Sequence, residues 1–267
     1  MRQVLVLLLT IFVSICSASA GTMHPDVPDN KYVEYGKKFR CISRLIGRYK
    51  NNHQYAASAI IIRPKVILTA AHVIADSQEC FAVLDGKKIP LRKIIMPSNF
   101  QENIFGYNDL AIGFTDQDFE LDFYPELYSD RDEVGQISAI CGFGIFGTFD
   151  TGSSKYDGQR RAGSNKIEHI DRGLLICTPS ARDRTSLEFL ISSGDSGGGL
   201  FINKKLAGIN SCVMATDNVT DSSYTDESGH TRVSDHFDWI QQIIEIEANG
   251  LDTDLPSATI VLNSATK

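Results

Sequence analysis

An all-β fold closed by one C-terminal helix is what this sequence predicts, and three observations carry that reading. Short apolar runs recur between residues 56 and 210 with Gly, Asp and Asn between them, the pattern of many short strands. An Arg63-Pro64-Lys65 turn separates two of these runs and reads as a hairpin. One stretch near 234–248 instead carries its apolar residues at helical spacing.

In chain order, the first twenty residues stand apart. Arg2 gives a positive start, an apolar run covers 4–16, and Ala18-Ser19-Ala20 has the small-residue cleavage pattern of a secretory signal peptide. That run is shorter than the roughly 20 apolar residues that span a bilayer. A mature chain is therefore expected from about Gly21, secreted (extracellular, or periplasmic in a bacterium) and without membrane attachment. Removing twenty of the 267 residues leaves 247, the size of a single all-β catalytic unit. Strands are expected at 56–62, 66–68, 81–84, 88–94, 110–114, 137–142, 174–177, 187–191, 200–202 and 206–210, where β-branched and apolar residues are bounded by turn formers. Periodicity alone leaves sandwich and barrel open. Ser234 or Asp235 caps the expected helix, Phe237, Ile240 and Ile244 form its stripe, and Gly250 stops it beyond Ala248. Residues 249–267 read as a tail.

The formal net charge of −7 becomes −8 once Arg2 leaves with the leader, and such a surface lacks the basic footprint that a nucleic-acid partner requires. Of six cysteines, Cys16 also leaves. Cys41, Cys80, Cys141, Cys177 and Cys212 remain, an odd set that permits disulfides in an oxidising compartment without fixing their connectivity. No Cys-x-x-Cys or paired His/Cys spacing supports a metal, and no cofactor motif occurs. Asn218-Val219-Thr220 is a glycosylation sequon suited to a surface loop, and Arg160-Arg161 reads as a solvated loop.

Chemistry concentrates in three segments: Leu68-Thr69-Ala70-Ala71-His72, Asn108-Asp109-Leu110-Ala111-Ile112 and Gly194-Asp195-Ser196-Gly197-Gly198-Gly199. A serine hydroxyl is a weak nucleophile at neutral pH. It needs a base within hydrogen-bond reach, and that base needs a third group to hold its tautomer. His72, Asp109 and Ser196 are the candidates, whereas Ser192 and Ser193 lack the glycine frame. His24, His53, His169, His230 and His236 have no comparable setting and read as surface or packing residues. The candidates lie 37 and 87 positions apart, so only the fold can gather them.

These segments resemble those of the trypsin/chymotrypsin-like serine peptidases, whose catalytic residues follow the chain order histidine, aspartate, serine. The resemblance implies two packed antiparallel β-barrels, here about 30–130 and 131–233 with a seam near 129–135, then a closing helix at 234–248. It implies a polypeptide substrate and makes a protein inhibitor a candidate partner. It also implies roles: His72 takes the Ser196 proton and returns it to the leaving amine while Asp109 stays ionised. The amides of Gly194 and Ser196 would form the oxyanion hole.

In that family the residue matching Asp195 pairs with an α-ammonium freed by cleavage. The usual Ile-Val-Gly-Gly start is missing here. Arg44-Leu45-Ile46-Gly47 imitates an activation site but falls in the expected opening strand of the first barrel. The terminus is instead expected from signal peptidase, with trimming toward Met23, because 23–29 resembles the start of some bacterial and invertebrate secreted members. Val73 and Ser192 stand where many relatives carry bridged cysteines. Alignment of the serine motif puts Leu190 at the pocket base, Ser211, Cys212 and Val213 along the substrate backbone, and Ser228 opposite. An apolar base favours an apolar residue on the acyl side of the scissile bond over Lys or Arg. The alternative is a catalytically silent secreted binding or regulatory protein on the same fold. An α/β-type esterase would place its histidine last, and His72 comes first.

Overall fold

β-Branched residues crowd Gln54–Arg63 and Val66–Thr69, and the intervening Pro64 turn folds them into a hairpin with Ile60 opposite Leu68 and Ile61 opposite Ile67. A computed structural model describes residues 21–104, 106–250 and 257–262. The leader read at 1–20 lies outside the described residues. Ile42–Tyr49, Gln54–Arg63, Val66–Thr69, Ser77–Leu84, Lys87–Pro97 and Ala111–Thr115 form the first antiparallel barrel, closed where the last two strands pair. Ile137–Gly142, Arg161–Asp171, Leu174–Cys177, Gly199–Ile202, Lys205–Ala215 and Asp226–Arg232 close the second. Arg44-Leu45-Ile46-Gly47 is paired on both sides within the opening strand, and Leu45 is fully buried.

Two strands of the second barrel escaped the sequence reading because their inward residues are polar. Arg161–Asp171 and Asp226–Arg232 bury Asn165, Ser228, His230 and Thr231. Each buried group needs a partner, and His230 has two: Nδ1 meets Asn210 Oδ1 at 2.9 Å and Nε2 meets Ser228 Oγ at 3.0 Å. Arg161, expected in a solvated loop, is fully buried at the start of its strand. The run at 187–191 yields only Phe189–Leu190, which joins Thr22–Met23, Phe146–Thr148 and Gly152–Lys155 in a separate four-stranded sheet. From the expected tail, Ala258–Leu262 adds an edge strand along Lys87–Pro97, with Ile260 opposite Ile95.

The closing helix, Val233–Ala248, begins slightly earlier than expected. Ser234 and Asp235 consequently lie in its first turn rather than at the cap, and Ser234 Oγ donates to Glu133 Oε1 at 2.7 Å. Ile240 and Ile243 are buried in the core shared with the first barrel. A second helix, Asp29–Gly36, was not read from sequence because its residues, DNKYVEYG, bury only Tyr32 and Gly36. All five described cysteines are buried and none is disulfide-bonded, so the disulfides allowed by composition are absent among the described residues. Packing and hydrogen bonding hold the framework.

Candidate active site

The strand Val66–Thr69 runs directly into the short helix Ala71–Ile74, which carries His72. Asp109 precedes Ala111–Thr115, the strand paired with Val66–Thr69, so the ladder sets the spacing of acid and imidazole. His72 N donates to Asp109 Oδ1 at 2.9 Å, and the ring Nδ1 meets Oδ2 at 2.7 Å. The other ring nitrogen, Nε2, lies 3.1 Å from Ser196 Oγ. The second barrel completes the arrangement: Ser211 Oγ donates to Asp109 Oδ2 at 2.6 Å, and Thr231 Oγ1 donates to the Asp109 carbonyl at 3.0 Å.

Burial opposes charge on both partners, yet each shift favours the ion pair. Desolvation pulls the His72 pKa down, but the hydrogen bond and negative charge of Asp109, with a smaller contribution from Glu102, leave it above the ordinary value. Desolvation likewise raises Asp109, but the bonds from His72 and Ser211 bring it below the ordinary carboxylate range.

Around the serine, Gly194 has φ of 89°, a backbone state costly for other residues. The N–H of Asp195 donates to Ser192 O, that of Gly197 to Asn210 O and that of Gly198 to Asp195 O. Among the described residues, the N–H groups of Gly194 and Ser196 have no such acceptor.

Asp195 itself is fully buried. It accepts hydrogen bonds from Ser192 N at 3.1 Å, Gly144 N at 3.0 Å and Gly21 N at 2.6 Å. Burial still pushes its carboxyl up to about 6. Gly21 is delivered by Thr22–Met23, which pairs antiparallel with Phe189–Leu190 and parallel with Phe146–Thr148. A Cβ at Gly21 would fall 1.9 Å from Phe189 Cζ, so the close approach requires glycine. Further along, the Arg161 guanidinium grips Asp29 at 2.6 and 2.8 Å and Asp157 at 2.9 and 2.8 Å, 3.6 Å from the centre of the Phe146 ring. This clamp ties the Asp29–Gly36 helix to the second barrel.

A cleft of about 510 Å³ opens beside Ser196. Ser211, Cys212 and Val213 line it, as do Ile191, Ser192 and Ser193. Leu190 and Ser228 do not. Leu190 is held in the small sheet opposite Thr22, and Ser228 Oγ is engaged with His230 inside the barrel. Sequence reasoning missed Phe100, Glu102 and Ile104 on the cleft wall. Their only signal was position, in the loop leading to Asp109.

The two-barrel architecture matches the fold of the trypsin-like serine proteases. The Trypsin family model matches residues 37–240, and the chain belongs to this family. Similar proteins include the snake venom serine proteases KN14 and KN6 of Trimeresurus stejnegeri, each 28% identical over 215 residues, 73% of this chain and 79% of theirs. Among solved structures, HL collagenase aligns with a TM-score of 0.64 at 18% identity, covering 78% of this chain and 94% of that one. Neuropsin, a serine protease of mouse brain, aligns at 0.62 with 17% identity, covering 78% and 96%. Residues 21–36, which include Gly21 and Asp29, lie before the family match.

Proposed function

We propose that the protein is a secreted serine endopeptidase that works through an acyl-enzyme with His72, Asp109 and Ser196. One observation carries the reading: a single imidazole has Ser196 Oγ at 3.1 Å from one nitrogen and Asp109 Oδ2 at 2.7 Å from the other. Ser196 Oγ bonds to the scissile carbonyl carbon as its proton passes to His72 Nε2, and the Gly194 and Ser196 amides receive the oxyanion. The carbon–nitrogen bond then breaks, and His72 hands that proton to the leaving amine. Water repeats the sequence on the ester and frees the acid and the serine. Ile191, Cys212 and Val213 on the cleft wall favour an apolar residue on the acyl side of the cut.

The mature amino terminus is Gly21. Cleavage after Ala20 turns the nitrogen that lies 2.6 Å from Asp195 Oδ2 into an ammonium and supplies the charge that a buried carboxylate needs. Trimming to Met23, part of the sequence expectation, would remove this contact and the Thr22 pairing. Cleavage at Leu45 would cut a buried strand.

Active-site labelling with an organophosphonate tests the proposal. Wild type should be modified at Ser196 and His72→Ala should not, while a natively folded wild type that takes no label would refute the peptidase reading. Sequencing the terminus of the same secreted sample should return Gly21.

A further inference from the structure

Away from the cleft, a surface cavity of about 740 Å³ lies between the Asp29–Gly36 helix end, the connection at 121–125 and the turn at Lys204. That turn sits at the far end of Gly199–Ile202, the strand that follows Ser196, so the cavity and the catalytic serine belong to opposite ends of one strand. Its walls are aromatic. Tyr35 meets Phe39 edge to face at 5.3 Å, and Phe39 meets Phe201 at 5.3 Å. Phe123 is 55% exposed beside them, although a large aromatic ring is normally covered.

The rim has the opposite sign to the molecule. Lys37, Lys38, Arg40 and Lys204 line the cavity with Asp122 as the one acid, in a chain whose net charge is −7. Lys37 pairs with Glu34, and Arg40 with Asp85 and Asp122, but these are exposed pairs that water screens and that exchange readily. Lys38 stands 5.4 Å from the centre of the Tyr35 ring. Among the described residues, neither Lys38 nor Lys204 has a carboxylate partner. The Asn203-Lys204 turn has φ of 48° and 68°, a tight reversal that projects Lys204 at the rim.

We infer that this cavity is a docking site for an acidic polypeptide segment that carries an aromatic side chain between carboxylates. The ring enters the pocket of Tyr35, Phe39, Phe123 and Phe201, and the flanking carboxylates reach Lys38 and Lys204. An apolar pocket with a few charges at its mouth is the usual form of a specific site, and complementary charge would set which partners it accepts. The site does not depend on turnover at Ser196.

The test uses Ser196→Ala protein, which leaves a peptide uncut, and a fluorescein-labelled probe of sequence Glu-Asp-Phe-Glu-Asp-Phe-Glu-Asp read by anisotropy. The expected result is saturable one-to-one binding that weakens as salt shortens the screening length. Phe123→Ala, and separately the pair Lys38→Glu and Lys204→Glu, should each weaken it at least tenfold with an unchanged melting temperature. A control peptide with Lys in place of every acid should not bind. Absence of saturation, equal binding by the variants, or capture of phosphatidylserine vesicles without capture of the peptide would each overturn the inference.

Discussion

The backbone nitrogen of Gly21 stands 2.6 Å from Oδ2 of Asp195, joining residues 174 positions apart beside the serine. Where the nitrogen is an amide, burial holds Asp195 up at about 6 against an ordinary 3.8. The folded state then keeps a proton that the unfolded chain has released. Stability should accordingly fall as pH rises from about 4 to 6, by about 3 kcal/mol at ~1.4 kcal/mol per unit. A free ammonium at Gly21 should remove that loss. Urea melts of protein with a free and with an acetylated Gly21 check this, and identical pH profiles would count against the pairing.

Arg161 should be a positioning residue for the same terminus. Replacing it by Gln leaves Asp29 and Asp157 without their cation, but both carboxylates are part-exposed and water screens them, so the loss should be about 1–3 kcal/mol rather than that of a fully buried pair. The clamp holds Asp157 at about 2, a depressed carboxylate whose contribution is present above its ordinary 3.8 and is lost as pH falls toward 2. Wild type should therefore lose stability over that window, and Arg161→Gln should lose less of it. A melting-temperature series from pH 5 to pH 2 reads the difference, and kcat should drop with the order of the Gly21 contact.

The pH dependence of kcat/KM should report His72. Its raised pKa predicts an acid limb centred above 6.5, with activity rising as the imidazole loses its proton. Glu102→Gln should move that limb down, because one negative charge leaves the neighbourhood of the ring. Asp109→Asn should lower kcat by about 10⁴-fold. A limb that stays put in Glu102→Gln would deny Glu102 any influence on the base.

Ser211→Ala removes the 2.6 Å donor to Asp109 and leaves both the nucleophile and the base in place. A hydrogen bond to a charged group contributes about 1.5–3 kcal/mol. At least a tenfold fall in kcat is expected with KM nearly unchanged, measured on one peptide substrate.

The fold was legible where side chains alternate or cluster by polarity. The opening strand at Arg44 was expected only from the family resemblance, whereas the hairpin before His72 and the closing helix announce themselves through apolar spacing. Arg161–Asp171 and Asp226–Arg232 did not, since their interior positions hold polar groups satisfied by partners distant in sequence. The same reason hid Arg161: a buried guanidinium depends on Asp29, 132 positions away, and local sequence cannot show that. At the site, the glycine frame singled out Ser196 among neighbouring serines. Glu102 carried no motif at all and joins the cleft only through the loop that leads to Asp109.

The five buried thiols have a practical consequence. Burial pushes Cys41 and Cys212 up to about 11 and Cys80 up to about 12, so at neutral pH the reactive thiolate is scarce and shielded. With no covalent cross-link among the described residues, the chain should renature from urea with dithiothreitol present throughout. Alkylating agents should then spare Cys41, Cys80, Cys141 and Cys177 until the molecule comes apart, while Cys212, on the cleft wall, is the one that a small agent can reach in the native protein.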